Sequence, residues 1–318
     1  MQKKYMRLLY ELESQSRRSA LTLGKLTRMS QQATDYALKQ MINKKVVHHF
    51  TTVINYTACD YMAFRVFFQI RQNKKDAFKE FVAALTNNPT TLEVVTIRSR
   101  YDLLVTFAAK NSRKFNREFK AFVQKYNIII KDYDIMTSIE WNSYGRRYLY
   151  KRAEPYKIMI GDLINQPTLT AFDTQLLALL KDNAKMPLTE LATRLKKSTQ
   201  TVLQTIKKLQ NEKVILQWSC FIDPSLLGYQ PYIILLRAKS LTLQQENKLS
   251  EFCKIEPNIT TLTKTFGLWD YEINLEVEDS VKFRKIYEKI REEFEEVMLD
   301  FCILIVNDTK KCVFLPEV

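Results

Sequence analysis

Residues 30–47 read SQQATDYALKQMINKKVV, and residues 198–215 read STQTVLQTIKKLQNEKVI. The two stretches lie 168 positions apart and share six of eighteen residues: Ser30/Ser198, Gln32/Gln200, Lys39/Lys207, Asn43/Asn211, Lys45/Lys213 and Val46/Val214. In the second copy, Val202, Ile206 and Leu209 recur at i, i+4 and i+7, the buried stripe of a helix, and Ser198 stands where a helix N-cap belongs. Leu38, Met41 and Val46 are core positions of the first copy. Upstream of Ser198, TAFDTQLLALLKDN (170–183) places Leu176, Leu177, Leu179 and Leu180 at helical spacing, and PLTELATRLKK (187–197) gives a short helix with Pro187 near its start. The β-rich KVILQWSCFID (213–223) follows. Three short helices and a β wing make a winged helix-turn-helix.

The echo extends along the chain. At the same offset TVIN (52–55) falls on CFID (220–223), Pro89 on Pro257, YDLLV (101–105) on WDYEI (269–273) and Phe115 on Phe283. No gap is needed until near residue 135, so the chain reads as a tandem duplication with a seam at 150–170, where Pro155, Gly161 and Pro167 interrupt the pattern. After each wing the period shortens to that of strands. YQPYIILLRAK, LQQENKLSEFCKI, ITTLTKTFG, WDYEINLEV, DSVKFRKIYEKIREEF and VMLDFCILIV give a βαββαβ order, which is ferredoxin-like. The first half repeats it from MAFRVFFQIRQ to IIIKDYDIMTSI. The expectation is an α+β chain: winged helix-turn-helix domains at 1–54 and 170–222 alternate with ferredoxin-like domains at 55–150 and 223–318, with a linker at 151–169.

Composition bounds the function. The chain has 318 residues, 46% hydrophobic, with only five Gly. No apolar run approaches the ~18 residues of a membrane span, and the N-terminus, MQKKYMRLLYELES, is charged throughout. A soluble, cytoplasmic protein with no membrane partner is expected. Cys59, Cys220, Cys253, Cys302 and Cys312 are scattered without a C-x-x-C pair, which argues for reduced, buried thiols rather than disulfides or a zinc site. No metal or cofactor is expected. The net charge is +14, and residues 1–160 hold 29 Lys/Arg against 13 Asp/Glu. An excess of that size favours a polyanionic partner met mostly by the first half.

The capped three-helix head, the wing ending in IDPSLLGY and the βαββαβ body carrying FGLWDYEINLEV together resemble the Lrp/AsnC (feast/famine) family of transcriptional regulators. The resemblance is close over 170–316, through D..LLALL, LTELATRL, ST.TV...IKKL...KVI and the G-x-x-D at Gly267–Asp270. It implies a head that binds double-stranded DNA and a body that assembles into oligomers through its sheets and often binds a small effector, typically an amino acid. Ordinary members carry one head and one body per chain, so this chain looks like a dimer fused covalently.

In a helix-turn-helix the start of the recognition helix meets base edges while basic groups nearby hold phosphates. Behind the capping Ser30 and Ser198, this nominates Gln31, Gln32, Thr34 and Asp35 in the first head and Thr199, Gln200, Thr201 and Gln204 in the second as base readers. Lys25, Arg28, Lys39, Lys44 and Lys45, with Arg194, Lys196, Lys197, Lys207 and Lys208, are phosphate candidates. Arg113, Lys114, Arg117, Arg146 and Arg147 would extend the basic track onto the first body. The resemblance places a possible effector site at Thr265, Gly267, Trp269 and Asp270; at the first body's equivalent turn Ser99 replaces the glycine. Two other readings compete. One is an architectural DNA-binding protein with little sequence preference. The other is an enzyme like the siroheme decarboxylases, which look like paired family members and act on a tetrapyrrole. Such an enzyme is expected to offer His and Arg in a large cleft, whereas His48 and His49 are this chain's only histidines, adjacent on the wing, where one would face inward and one outward.

Overall fold

A computed structural model describes residues 3–71, 75–161 and 167–317. The expected strand end and helix start at 72–74 and the centre of the expected linker, 162–166, lie outside the described residues. The first half runs α1 (Lys3–Ser14), α2 (Ala20–Thr27), α3 (Gln31–Asn43), β1 (Val47–Ile54), β2 (Met62–Ile70), α4 (Lys75–Thr86), β3 (Thr91–Arg98), β4 (Leu103–Ala109), α5 (Ser112–Lys125), β5 (Ile130–Ser143) and the short β6 (Ile158–Ile160). The second runs α6 (Ala171–Lys181), α7 (Leu188–Leu195), α8 (Thr199–Asn211), β7 (Ile215–Ile222), β8 (Gln230–Ala238), α9 (Leu243–Ile255), β9 (Ile259–Phe266), β10 (Tyr271–Val277), α10 (Ser280–Phe294) and β11 (Met298–Cys312).

A shift of 168 superposes α2 on α7, α3 on α8, β1 on β7 and β2, β3 and β4 on β8, β9 and β10, end for end. Backbone geometry follows the same offset. Arg28 and Lys196 both take left-handed φ values (57° and 52°), as do Lys45 and Lys213 (55° and 56°), and Asp60 matches Gly228 (58° and 83°). Each pair closes a helix or turn, the position where a left-handed residue ends a helix.

Within each half the strands follow the ferredoxin-like order, β5-β2-β4-β3 and β11-β8-β10-β9. The two sheets then join at both edges, because β3 pairs with β11 and β9 pairs with β5, all antiparallel. The result is a closed eight-stranded barrel. Alternation along the strands sets what lies inside. On β2, Phe67 points into the barrel with Tyr101, Met136, Leu235, Trp269 and Leu304. Its neighbours Phe64, Val66 and Phe68 point outward beneath α4 and α5, packing on Phe81, Phe115 and Phe119. On the other side Ile234, Leu236 and Ile273 meet Leu249, Ile286 and Ile290 of α9 and α10. The sheet pairing expected between copies of the protein is therefore made within one chain, which leaves neither four-stranded sheet an open edge.

The wings also pair with each other. β1 and β7 form a two-stranded antiparallel ribbon in which Thr51 lies opposite Ser219, its own equivalent at the 168 offset. In the barrel the Trp269 indole nitrogen donates to Tyr101 Oη at 3.3 Å, again across 168 positions. A local two-fold axis passes through both contacts. The heads are interlocked about it: Thr51 and Thr52 hydroxyls donate to the Lys181 and Leu180 carbonyls at 3.0 and 2.6 Å, and Arg17 Nε donates to the Ala184 carbonyl at 2.6 Å. Cys220 and Ile222 of β7 complete the first head's core, and Ile54 of β1 completes the second's.

Candidate nucleic-acid interface

Each recognition helix begins at a serine with extended backbone. The Ser30 hydroxyl accepts from the Ala33 amide at 3.2 Å, and the Ser198 hydroxyl accepts from the Thr201 amide at 3.0 Å. These caps satisfy an amide that the first helical turn cannot bond internally. Ala37, Leu38 and Met41 of α3, and Val202, Ile206 and Leu209 of α8, are buried against their heads. The opposite faces are exposed: Gln31, Gln32, Asp35 and Lys39 on α3, and Thr199, Gln200, Gln204 and Lys207 on α8. Thr201 is half-buried.

Tyr36 was not anticipated. It is 65% exposed and shares a shallow groove with Gln31, Gln32, Asp35 and Lys39. Its equivalent at the 168 offset is Gln204, a nominated reader, so the repeat alone held the signal. Thr34 is a correction. It is 0% exposed and its hydroxyl donates to the Ser30 carbonyl at 2.9 Å, so it braces the start of α3 and cannot meet a base.

The basic candidates divide. Lys25, Arg28, Lys39 and Lys44 of the first head and Lys196, Lys197 and Lys207 of the second are exposed and make no ion pair among the described residues. Arg194 pairs with Glu190 at 2.6 Å. Lys208 bonds Asp173 at 3.1 Å, and that hydrogen bond raises its pKa. Asp173 is itself the capping-box carboxylate of α6. Burial acts to raise its pKa, but bonds from the Thr170 amide and hydroxyl and from Lys208 outweigh it and hold the carboxyl below its usual range. Lys45 is exposed but lines an inner cleft as well. Arg113, Lys114 and Arg117 are exposed on α5. Arg146 and Arg147 are corrections to the expected basic track. The Arg146 guanidinium is held by Glu13 and Glu276, and Arg147 donates to the Lys254 and Ile255 carbonyls.

The G-x-x-D turn is internally bonded. The Thr265 hydroxyl donates to the Trp269 carbonyl at 2.6 Å, Asp270 Oδ2 accepts from the Ala238 amide at 2.8 Å, and Trp269 is 1% exposed in the barrel. Asp102 repeats the role in the first half, accepting from the Ile70 amide at 2.7 Å. Gly267 has φ 153° while Ser99 takes 136° at the equivalent position. A Cβ at Gly267 would lie 2.9 Å from the Ile135 carbonyl oxygen, so glycine is demanded there by a close strand contact. These side chains build a turn, which corrects their nomination as ligand contacts.

A cleft of about 570 Å³ lies on the local two-fold axis between the wing ribbon and the barrel mouth. Thr51 and Ser219 of the wing ribbon line it, and equivalent residues in its lining differ in chemistry: Arg65 and Ile233, Glu93 and Thr261. Five carboxylates (Glu13, Glu93, Asp223, Glu276, Asp308) line it against three Lys or Arg (Lys45, Arg65, Arg146). His48 is exposed and lines the cleft, with Nε2 3.9 Å from Asp223. His49 turns inward and stacks on Phe221. Burial lowers its pKa. Both imidazoles lie against the Phe221 ring, beside an irregularity in the wing ribbon between Val47 and His49.

Residues 169–210 match the family model of the AsnC-type helix-turn-helix domain. The second half carries an AsnC-type helix-turn-helix domain. The matched span covers α6, α7 and nearly all of α8, the elements whose caps and exposed face are described above. The DNA-binding transcriptional activator DecR of Escherichia coli K12 is 23% identical over 128 residues, covering 38% of this chain and 81% of DecR. Among solved structures, the siroheme decarboxylase NirDL superposes with TM-score 0.64 and 11% identity, covering 99% of this chain and 94% of NirDL. NirDL in complex with an iron-uroporphyrin III analogue gives 0.63 and 10%. At such identity the likeness concerns the fold, and it spans both halves.

Proposed function

We propose that the chain is a DNA-binding transcriptional regulator of the Lrp/AsnC type, a duplicated unit acting as a covalent pseudo-dimer whose two recognition helices read two unlike half-sites. One observation carries this reading: two Ser-capped helices, related by the local two-fold axis, present outer faces that share Gln32 and Gln200 but differ at the other three positions compared. Gln31, Gln32, Asp35 and Tyr36 stand where Thr199, Gln200, Leu203 and Gln204 stand in the second head. Glutamine suits the paired donor and acceptor on adenine. Lys25, Arg28, Lys39, Lys44, Lys196, Lys197 and Lys207 supply phosphate contacts, and the first head's larger positive charge gives it the larger share of non-specific affinity. In this reading residues 1–54 and 170–222 are the heads and 55–150 and 223–318 the bodies. Phe266, 77% exposed, would serve contacts between copies.

Labelled genomic fragments titrated with protein between about 50 and 200 mM salt test the reading. The expected result is a footprinted site with two separated patches of protection and a steep loss of affinity with salt. Uniform binding without a footprint would favour an architectural role instead.

A second reading, a siroheme-decarboxylase-like enzyme, draws on the whole-chain fold likeness and on the axial cleft. The lining weighs against it. A polycarboxylate tetrapyrrole needs cations, and here carboxylates outnumber Lys and Arg while both arginines are already bonded to glutamates. Absorbance changes on titrating iron-uroporphyrin III, with no DNA binding, would reverse the preference.

A further inference from the structure

We infer that the interface between the two halves carries a charge code that admits only unlike halves, so that the partner fitting each half is the other half of the same chain. The code stands on two ion pairs of the same polarity. Arg65 of β2 makes a bidentate contact with Glu272 of β10, Nη2 to Oε1 at 2.6 Å and Nε to Oε2 at 2.8 Å. Arg146, just beyond β5, makes a second with Glu276, four residues further along β10, through Nε and Nη2 at 2.9 Å each. Both arginines come from the first half and both glutamates from the second. Glu272 is 1% exposed and Glu276 6%.

Their equivalents in the other half are apolar. Arg65 and Glu272 correspond at the 168 offset to Ile233 and Leu104, both in the barrel core. A bulge between Thr309 and Lys311 moves the offset to 169 beyond it, so Arg146 corresponds to Leu315, buried in the second head's core, and Glu276 to the buried Ala108. The two-fold axis therefore relates each salt bridge to a pair of buried apolar residues. Pairing two first halves would set Arg65 against Leu104 and Arg146 against Ala108, twice over. Glu93 and Glu13 would stay with their arginines, but both bidentate partners would be gone. Pairing two second halves would set Glu272 against Ile233 and Glu276 against Leu315, with no cation to answer either carboxylate. A charge left buried after its partner is removed is strongly destabilising, whereas an apolar pair in its place is tolerated.

The chain has a reason to need such a code. Covalent linkage raises the effective concentration of the second half, yet during synthesis the first half emerges first and can meet first halves of other chains before its own partner exists. A like-half pairing would close a barrel with the wrong heads. The code makes that product costly without weakening the correct one. It also bars exchange with single-unit proteins of the same fold that lack the matching charges.

The test uses the whole protein with a specific protease site introduced between residues 161 and 167. After folding and cleavage the nicked complex is unfolded in denaturant, refolded and weighed by native mass spectrometry. Nicked wild type should return only the species containing one first and one second half. The variant R65I/R146L/E272L/E276A, which installs the apolar equivalents, should return like-half pairs as well, approaching a statistical mixture. Where that variant does not fold, R146L/E276A, which alters only the second pair, should still yield a measurable like-half fraction. Substantial like-half pairs from wild type would overturn the code, as would a folded variant that remains purely mixed.

Discussion

Tyr36 and Gln204 occupy the same position in their helices, and under the proposed function their difference would separate what one head reads from what the other does. Replacing Gln31 and Gln32 by Ala should relax base preference in the first half-site, at about 1–3 kcal/mol for each lost paired contact. Replacing Lys39 and Lys44 by Ala should weaken all sequences alike and flatten the log–log salt dependence by about one unit per lysine. Fluorescence anisotropy on specific and scrambled duplexes separates the two, and equal effects from both pairs would contradict the assignment. Asp173 supports a different expectation. Its folded pKa lies below the ordinary 3.8, so the stability it contributes is complete above the unfolded value and is lost as pH falls through the lowered one. D173N should therefore cost about 1 kcal/mol near neutral pH and flatten the acid limb of a urea-midpoint profile. Local signals at this scale were legible: Ser30 and Ser198 announced their caps. Thr34 was not, because only its inward placement on α3 distinguishes it from Asp35 beside it.

At the scale of elements, hydrophobic period and turn residues marked nearly every helix and strand, and α3, α8 and α9 begin where Ser30, Ser198 and Thr242 cap them. Partners were harder. The sequence of β5 carries no record that β2 lies on one side and β9 on the other. That information sits in contacts with residues tens of positions away on β2 and more than a hundred away on β9. The G-x-x-D turn was misread for a related reason: a glycine that admits a ligand and one that admits a neighbouring strand look the same in a sequence. G267A should destabilise the protein by about 1–3 kcal/mol because of its contact with Ile135. S99G, which relieves a positive φ at the equivalent turn, should stabilise it by several tenths of a kcal/mol to about 1. Thermal melts of both variants, measured against wild type, check the opposite signs.

For the whole molecule, closure of the barrel and interlocking of the heads make the halves interdependent. The three tryptophans sample it at different places: Trp218 beneath the wing ribbon, Trp141 at the cleft and Trp269 inside the barrel. Unfolding should be a single transition in which fluorescence and far-ultraviolet circular dichroism coincide. A separate early transition reported by Trp218 alone would show that the heads melt independently. The repeat predicted two heads and two bodies; it did not predict that each would be completed by strands of the other.

The ribbon joining Thr51 to Ser219 has a final consequence, which falls on the DNA. Two readers on flexible tethers could adapt to variable operator spacing by stretching the protein. Two readers fixed to one antiparallel ribbon cannot, so any mismatch in spacing or helical phase must be absorbed by bending or twisting the duplex. Smooth bending of a short site by 40–90° costs of order 1–6 kcal/mol, depending on its sequence. Base pairs that the protein never touches, in the segment between the half-sites, would then help decide where it binds.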